Sequence, residues 1–456
     1  MSTEALARNV VKIRYDDLSE EVREATKRSI LDTLGVMLPP TTLEKTCVAL
    51  YELVKEAGGK RESTLIGFGG KAPCWVAAFV NGSLAHAIDY DDGVVADVPV
   101  HHPTASTFPA ALAIAERIDG VSGKDFITAI TLGNDLSIRL AACPKGNTMM
   151  DYPFFPITTF GVFGAAAAAG KLLGLSEVEM LNALGMALHR VAGVTEAMLA
   201  PDSDLRAIRD AFTNKEGVIS ALMASKGIAA CKDVVEKLFK VYYGGRYNPQ
   251  PLTLDLGKKF RGVEASLKPW PACGQTHGYI QAVLQITKEY DINPDQIDEV
   301  MLTGGKSGER LCMPPEVKQE PVSSMAAKFS IPFVVAVALV KRSVVIGHFL
   351  PQNLKDPEVI RVAKKVRHKV DPTFGVFTPV IAEIRTKGGK SYSFKADTIH
   401  GHPRDPLSVD ELIAKFRDCA NYSKKHLSSA KVDRLITTIL QLEKLGDVRE
   451  ITAILA

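Results

Sequence analysis

Apolar residues recur at helical spacing through roughly the first 260 residues of this 456-residue chain, and no β-rich run interrupts them. A 3.6-residue apolar stripe must be buried against another, so this half is confined to helices packed on helices. Val22, Ile30, Leu34 and Leu38 line one side of a segment whose other side carries Glu20, Arg23, Glu24 and Lys27, with Ser19 as its cap. The same spacing predicts helices near 43–57, 75–90, 104–118, 124–141, 157–173, 177–192 and 215–226.

The pattern changes after KVYYGGRYNPQPL, a loop rich in Tyr and Gly. IDEVMLTG reads as a strand, and VIAEIRTKGGKSYSFKAD as a hairpin turning at Gly388 and Gly389, where alternation flanks a pair that tolerates positive φ. Helical patterns near 323–341 and 355–369 lie between them, and helices return at 408–420 and 430–454, folding back onto the first domain. The expected fold is mainly α, with a large all-helical domain over 1–262 and 400–456 and a smaller α+β lid over 263–399.

Composition narrows the partners. With 55 basic and 52 acidic residues and no basic run interleaved with aromatics, nothing coats a phosphate backbone, so nucleic acid is not expected. Seven cysteines, odd in number and without a C-x-x-C pair, fit reduced thiols in a cytoplasm rather than disulfides or structural zinc. The opening MSTEALARNVVKIRYDD lacks the apolar core of a signal peptide. The longest charge-free stretch, Tyr152–Gly170, contains Pro153, Pro156, Thr158, Thr159, Gly161 and Gly164, and reads as a loop entering a buried helix, not as a membrane span.

Two segments concentrate chemistry. In NGSLAHAIDYDDGVVADVPVHHPTAS, residues 81–106, a helix would set Gly82, His86 and Asp89 on one face. His102 precedes Pro103, which favours a first helical turn, so its imidazole is expected at the positive end of a helix. The competing reading makes His86 a core histidine, Asp91 and Asp92 helix-end caps, and His101 exposed. A divalent metal site of a helical phosphohydrolase is the rival chemistry, but no His-Asp dipeptide and no three-ligand group at metal spacing supports it. In SLKPWPACGQTHGYIQAVLQI, Pro269 and Pro271 hold Lys268 and Trp270 extended, and Thr276 and His277 open a helix. Lys268 there is a candidate carboxylate receiver; the competing reading has a solvated lysine and His277 packed on Trp270. Cys273 reads as a packed thiol.

The runs AAFVNGSLAHAIDYDD, HHPTASTFPAALAIAE, FGVFGAAAAAGKLLGL, LKPWPACGQTH and AKFSIPFVVAVAL, in this order, resemble the MmgE/PrpD family over nearly the whole chain. The resemblance implies a helical domain with an α+β lid, a homodimer, and no metal or organic cofactor. It also implies proton transfer next to a carboxylate, in dehydratases of 2-methylcitrate, decarboxylases of cis-aconitate or epimerases of iminodisuccinate. By the same resemblance Asp89, His102 and Lys268 fall on catalytic positions, and Arg206 where the decarboxylase has a lysine. Gly93 stands where the decarboxylase carries threonine, Phe155 where it carries histidine, and Phe333 at its lid tyrosine.

Each of those three departures removes a group able to donate or relay a proton. The expectation is therefore a cofactor-independent hydro-lyase on a small di- or tricarboxylate, with an epimerase or isomerase close behind and a decarboxylase as a further alternative. His102 is expected as general base or acid, Asp89 as its partner or as the group orienting the substrate, and Lys268 and Arg206 as stabilisers of the dianionic intermediate. His277, Trp270, Phe155, Phe333 and Gly93 complete the expected substrate contacts. A metal-dependent phosphohydrolase and a non-catalytic helical binding protein are the weaker readings.

Overall fold

The computed structural model describes residues 2–94, 101–146, 148, 151–200 and 203–455. Residues 95–100 of the first chemical segment lie outside that description. The chain forms two compact units, one from residues 1–87, 91–267 and 409–456, the other from 88–90 and 268–408. The fold is mainly α, with its one four-stranded sheet in the second unit.

The first unit is built from α1 (Glu20–Val36), α2 (Cys74–Leu84), α3 (Pro103–Ile118), α4 (Gly123–Ala141), α5 (Pro156–Leu172), α6 (Glu177–His189) and α7 (Arg209–Ala224), among others. Ser19 caps α1, its Oγ accepting from Val22 N at 3.4 Å. Helix α5 is apolar on every side from Pro156 to Gly170, which demands burial all round, and every residue of that run is buried. Small residues let its neighbours close on it. A Cβ on Gly164 would lie 2.8 Å from Gly133 O of α4, and one on Gly217 of α7 would lie 2.3 Å from Ala165 Cβ. The C-terminal helices return to this unit, where Lys415 pairs with Asp32 at 2.6 Å, both buried. Removing one partner of such a pair costs about 3–5 kcal/mol, because the other charge is left dry.

The second unit carries α8 (His277–Tyr290), β1 (Ile297–Gly304), α9 (Ile331–Lys341), β2 (Val366–Val370), β3 (Val380–Thr386) and β4 (Ser391–Ala396). The sheet order is β2-β1-β3-β4, with β2 parallel to β1 and the rest antiparallel. The hairpin turns where expected, with Gly389 at φ +79.

Three expectations change. The helix predicted to 90 stops at Leu84, so His86 and Asp89 share no helix face. Gly82 opens no ligand face either: its Cβ position lies 2.6 Å from Asp210 O, a contact between α2 and α7. The pattern at 355–369 divides into a helix Pro357–Ala363 and strand β2, whose alternation is too short to stand out from helical spacing. Among the described residues, no helix is long and apolar enough to cross a membrane, and all seven cysteines are free thiols.

Candidate active site

In the helical unit the residues after α2 run through turns into the start of α3. Pro103 occupies the first turn of α3 and His102 is its N-cap residue, as expected. Gly93 and Val94 pair with Ser266 and Ala265, and Val94 N donates to His101 O at 2.8 Å, so a short ladder holds the approach to the helix. A Cβ on Gly93 would touch the His102 ring at 3.6 Å. The glycine therefore lies against the imidazole.

His102 Nδ1 lies 2.7 Å from Asp92 O and 2.9 Å from Asp91 Oδ2. A carbonyl oxygen only accepts, so Nδ1 carries a proton, and Nε2 is the nitrogen at which the ring can gain or give one. The other carboxylate oxygen of Asp91 takes His86 Nδ1 at 2.8 Å. One buried carboxylate thus holds two imidazoles, whose rings meet edge to face with centroids 4.8 Å apart. Burial alone would raise the Asp91 carboxyl, yet the two histidines and their hydrogen bonds outweigh it and hold it well below the usual range. The sequence suggests Asp89 as the partner of His102 or as the group orienting the substrate; the carboxylate beside His102 is that of Asp91.

Asp92 faces the other way. Its Oδ2 accepts from Thr104 Oγ1 at 2.5 Å, and Thr104 Oγ1 in turn accepts from Asn134 Nδ2 at 2.9 Å. Burial pushes its carboxyl up to about 8; the Thr104 hydroxyl pulls against this, and the charges of Asp91 and Asp32 add to it. Burial also pushes His86 down to about 4 and His101 down to about 3, with the Arg209 charge adding to both. Asp91, Asp92 and His101 are fully buried. The reading of the two aspartates as solvated caps and of His101 as exposed therefore fails.

The expectation that no three ligands gather at metal spacing also fails, because folding brings His86, Asp91 and His102 ligand atoms within 4.8 Å of one another. Their separations along the chain, five and eleven residues, hid this. The 2.8 and 2.9 Å contacts are hydrogen-bond lengths with the imidazole protons in place, so an ion seated there would have to displace both. The geometry suits a carboxylate orienting imidazoles.

Phe155 precedes α5, fully buried, with the Arg209 guanidinium carbon 5.4 Å from its ring centroid. Arg206 lies half-buried in the turn ahead of α7. Arg209, absent from the sequence reading, is the first residue of α7 and is only 1% exposed.

In the second unit Asp89 adopts φ +55, a left-handed conformation that aspartate tolerates better than most residues. Buried Lys268 contacts its carboxylate and donates to its carbonyl at 3.0 Å. The Tyr90 hydroxyl fixes Pro269 O at 3.0 Å, and Lys328 Nζ donates to Ile88 O at 2.9 Å. Sequence reasoning missed Lys328, whose run AKFSIPF looks like plain core. Trp270 and His277 pack edge to face at 5.3 Å, with His277 Nε2 3.1 Å from Ala272 O. Phe333, expected as a substrate contact, is core, its ring 6.5 Å from Phe349.

The chain matches known proteins over nearly its whole length. The MmgE/PrpD N-terminal domain matches residues 4–246 and the C-terminal domain residues 270–444. The chain is 30% identical over 470 residues to a cis-aconitate decarboxylase of Homo sapiens, covering 99% of this chain and 94% of that protein. Similar likeness extends to cis-aconitate decarboxylases of Mus musculus, at 30% and covering 99% and 93%, and of Aspergillus terreus, at 24% and covering 96% and 93%.

Proposed function

Since this chain belongs to the MmgE/PrpD family, we propose that it moves a proton beside a carboxyl group and decarboxylates a small tricarboxylate of the cis-aconitate type. The expectation of a hydro-lyase yields to the relatives, whose names favour decarboxylation and whose likeness spans nearly the whole chain. The observation that carries the proton-transfer step is His102, with Nδ1 fastened to Asp91 and Asp92 O and Nε2 left for chemistry.

Breaking the bond to departing carbon dioxide leaves an electron pair on an allylic carbon. The pair forms the new double bond while the far alkene carbon takes a proton, so a tricarboxylate and one proton give an unsaturated dicarboxylate and carbon dioxide. His102 is the proposed donor at Nε2, and Asp91 balances the ring's charge when both nitrogens are protonated. Lys268 and Arg206 are assigned to substrate carboxylates, and Asp89 to orienting Lys268. The proposal includes independence from metal and organic cofactors, a homodimer and a cytoplasmic setting.

Phe155 supports a second reading, since a phenyl ring moves no proton and a site with fewer donors suits an epimerase or hydro-lyase in which one base removes an α-proton and a neighbouring acid returns it or assists departure. Proton NMR in deuterium oxide with cis-aconitate, citrate and a panel of dicarboxylates separates the outcomes. Carbon dioxide release with one deuterium per product molecule is expected. Exchange without net reaction assigns an epimerase, and addition or loss of water assigns a hydro-lyase. No change in any compound contradicts the whole reading.

A further inference from the structure

We propose that Arg209 is a carboxylate-binding residue of the helical unit, gripping one substrate carboxylate through Nη2 beside the ring of Phe155. The identity of that substrate rests on the function proposed above.

The guanidinium is buried and only partly satisfied. Its Nε donates to Asp210 Oδ2 at 3.0 Å, while Nη2 is buried without a hydrogen-bond partner. Asp210 does not serve Nη2 with its second oxygen: Oδ1 accepts from Ser106 Oγ at 2.9 Å, and Nη2 makes no bond to it. A buried donor left unmet is costly, more so on a cation, and an incoming anion would meet it with a charge-assisted hydrogen bond. Arg209 also opens a 16-residue helix whose N-cap, Ile208, offers no side-chain acceptor to the first-turn amides.

A second buried group points the same way. His101 is 0% exposed and neither ring nitrogen has a hydrogen-bond partner. Burial, followed by the charges of His102 and Arg209, pushes it down to about 3, so it stays neutral and still offers one N–H to an anion. Asp210 is the charged group in contact with Arg209, and the Arg209 charge in turn helps keep His86 and His101 neutral. The family resemblance assigned this region's cation to Arg206, three residues earlier. Arg209 is the more deeply buried of the two, and its Nη2 has no hydrogen-bond partner.

The test compares wild type with Arg209→Met/Asp210→Asn, which removes both members of the ion pair, and with Arg209→Lys in case the double variant does not fold by circular dichroism. Two readouts are taken. One is steady-state decarboxylation of cis-aconitate. The other is the thermal shift given by tricarballylate, a saturated tricarboxylate that can undergo neither decarboxylation through an allylic pair nor dehydration. The expected result is a KM for cis-aconitate raised roughly 10- to 100-fold with kcat within about threefold, and loss of the tricarballylate shift. Folded variants with wild-type KM and shift, or with kcat lowered and KM unchanged, would overturn the assignment. Wild type that ignores cis-aconitate but shows an Arg209-dependent tricarballylate shift refutes the proposed reaction and leaves the binding role standing. If wild type shows neither, both fall.

Discussion

Asp91 determines which nitrogen of two histidines is available for chemistry, and it does so because its own charge survives burial. Asp92, its neighbour, has the opposite fate, and this gives the site a measurable pH dependence. Its carboxyl stands at about 8 in the folded protein against an ordinary 3.8. Between those values the folded chain keeps a proton that the unfolded chain releases, so this group's contribution to stability falls as pH rises. His86 and His101, at about 4 and 3 against an ordinary 6.5, act in the other sense: the unfolded chain binds protons that the folded rings refuse, so stability rises up to about pH 6.5. Above that only Asp92 of the three still changes, and urea denaturation should lose on the order of 1–2 kcal/mol between pH 6.5 and 8. Asp92→Asn should flatten that slope, and an unaltered slope would disprove the buried, protonated carboxyl. The Asp-Asp pair was legible in the sequence as polar punctuation, but not the roles of its members. Those depend on Thr104, Asn134 and two imidazoles that only folding brings to them.

At the scale of elements, the helical unit is spaced by glycines. Gly133 and Gly164 face each other where α4 crosses α5, each lacking a side chain that would strike the other's carbonyl. Gly164→Ala should cost about 1–3 kcal/mol by overpacking, read as a lowered denaturation midpoint with an unchanged m value. A variant as stable as wild type would show that the crossing can open. The long helices were legible because their apolar residues recur over three or more turns, as in α3, α4 and α5. What stayed hidden was short or set by context. The helix after Cys74 stops at Leu84 although the apolar spacing continues, and β2 has five residues of alternation attached to a helix. Arg209 was hidden for a related reason: at the start of a helix an arginine looks like a solvated charge, and only its burial and its place beside Phe155 mark it out.

At the scale of the whole molecule, the family resemblance foresaw a mainly α chain with one α+β unit, and the domain matches over 4–246 and 270–444 agree. The cluster of His86, Asp91 and His102 leaves one chemical choice to experiment. If the carboxylate serves to orient imidazoles, dialysis against a strong chelator should leave turnover within twofold, with no divalent ion found in stoichiometric amount by elemental analysis. Loss of turnover that one added ion restores would assign the cluster to a metal instead. The central claim is that His102 Nε2 transfers the proton. The most direct measurement is deuterium incorporation from solvent during turnover of cis-aconitate by wild type and His102→Gln, with binding followed by calorimetry. Wild type should place one deuterium in each product molecule. His102→Gln should bind cis-aconitate with similar affinity and incorporate none, since the glutamine amide makes hydrogen bonds but is neither a general acid nor a general base near neutral pH. Wild-type incorporation by His102→Gln would contradict the account.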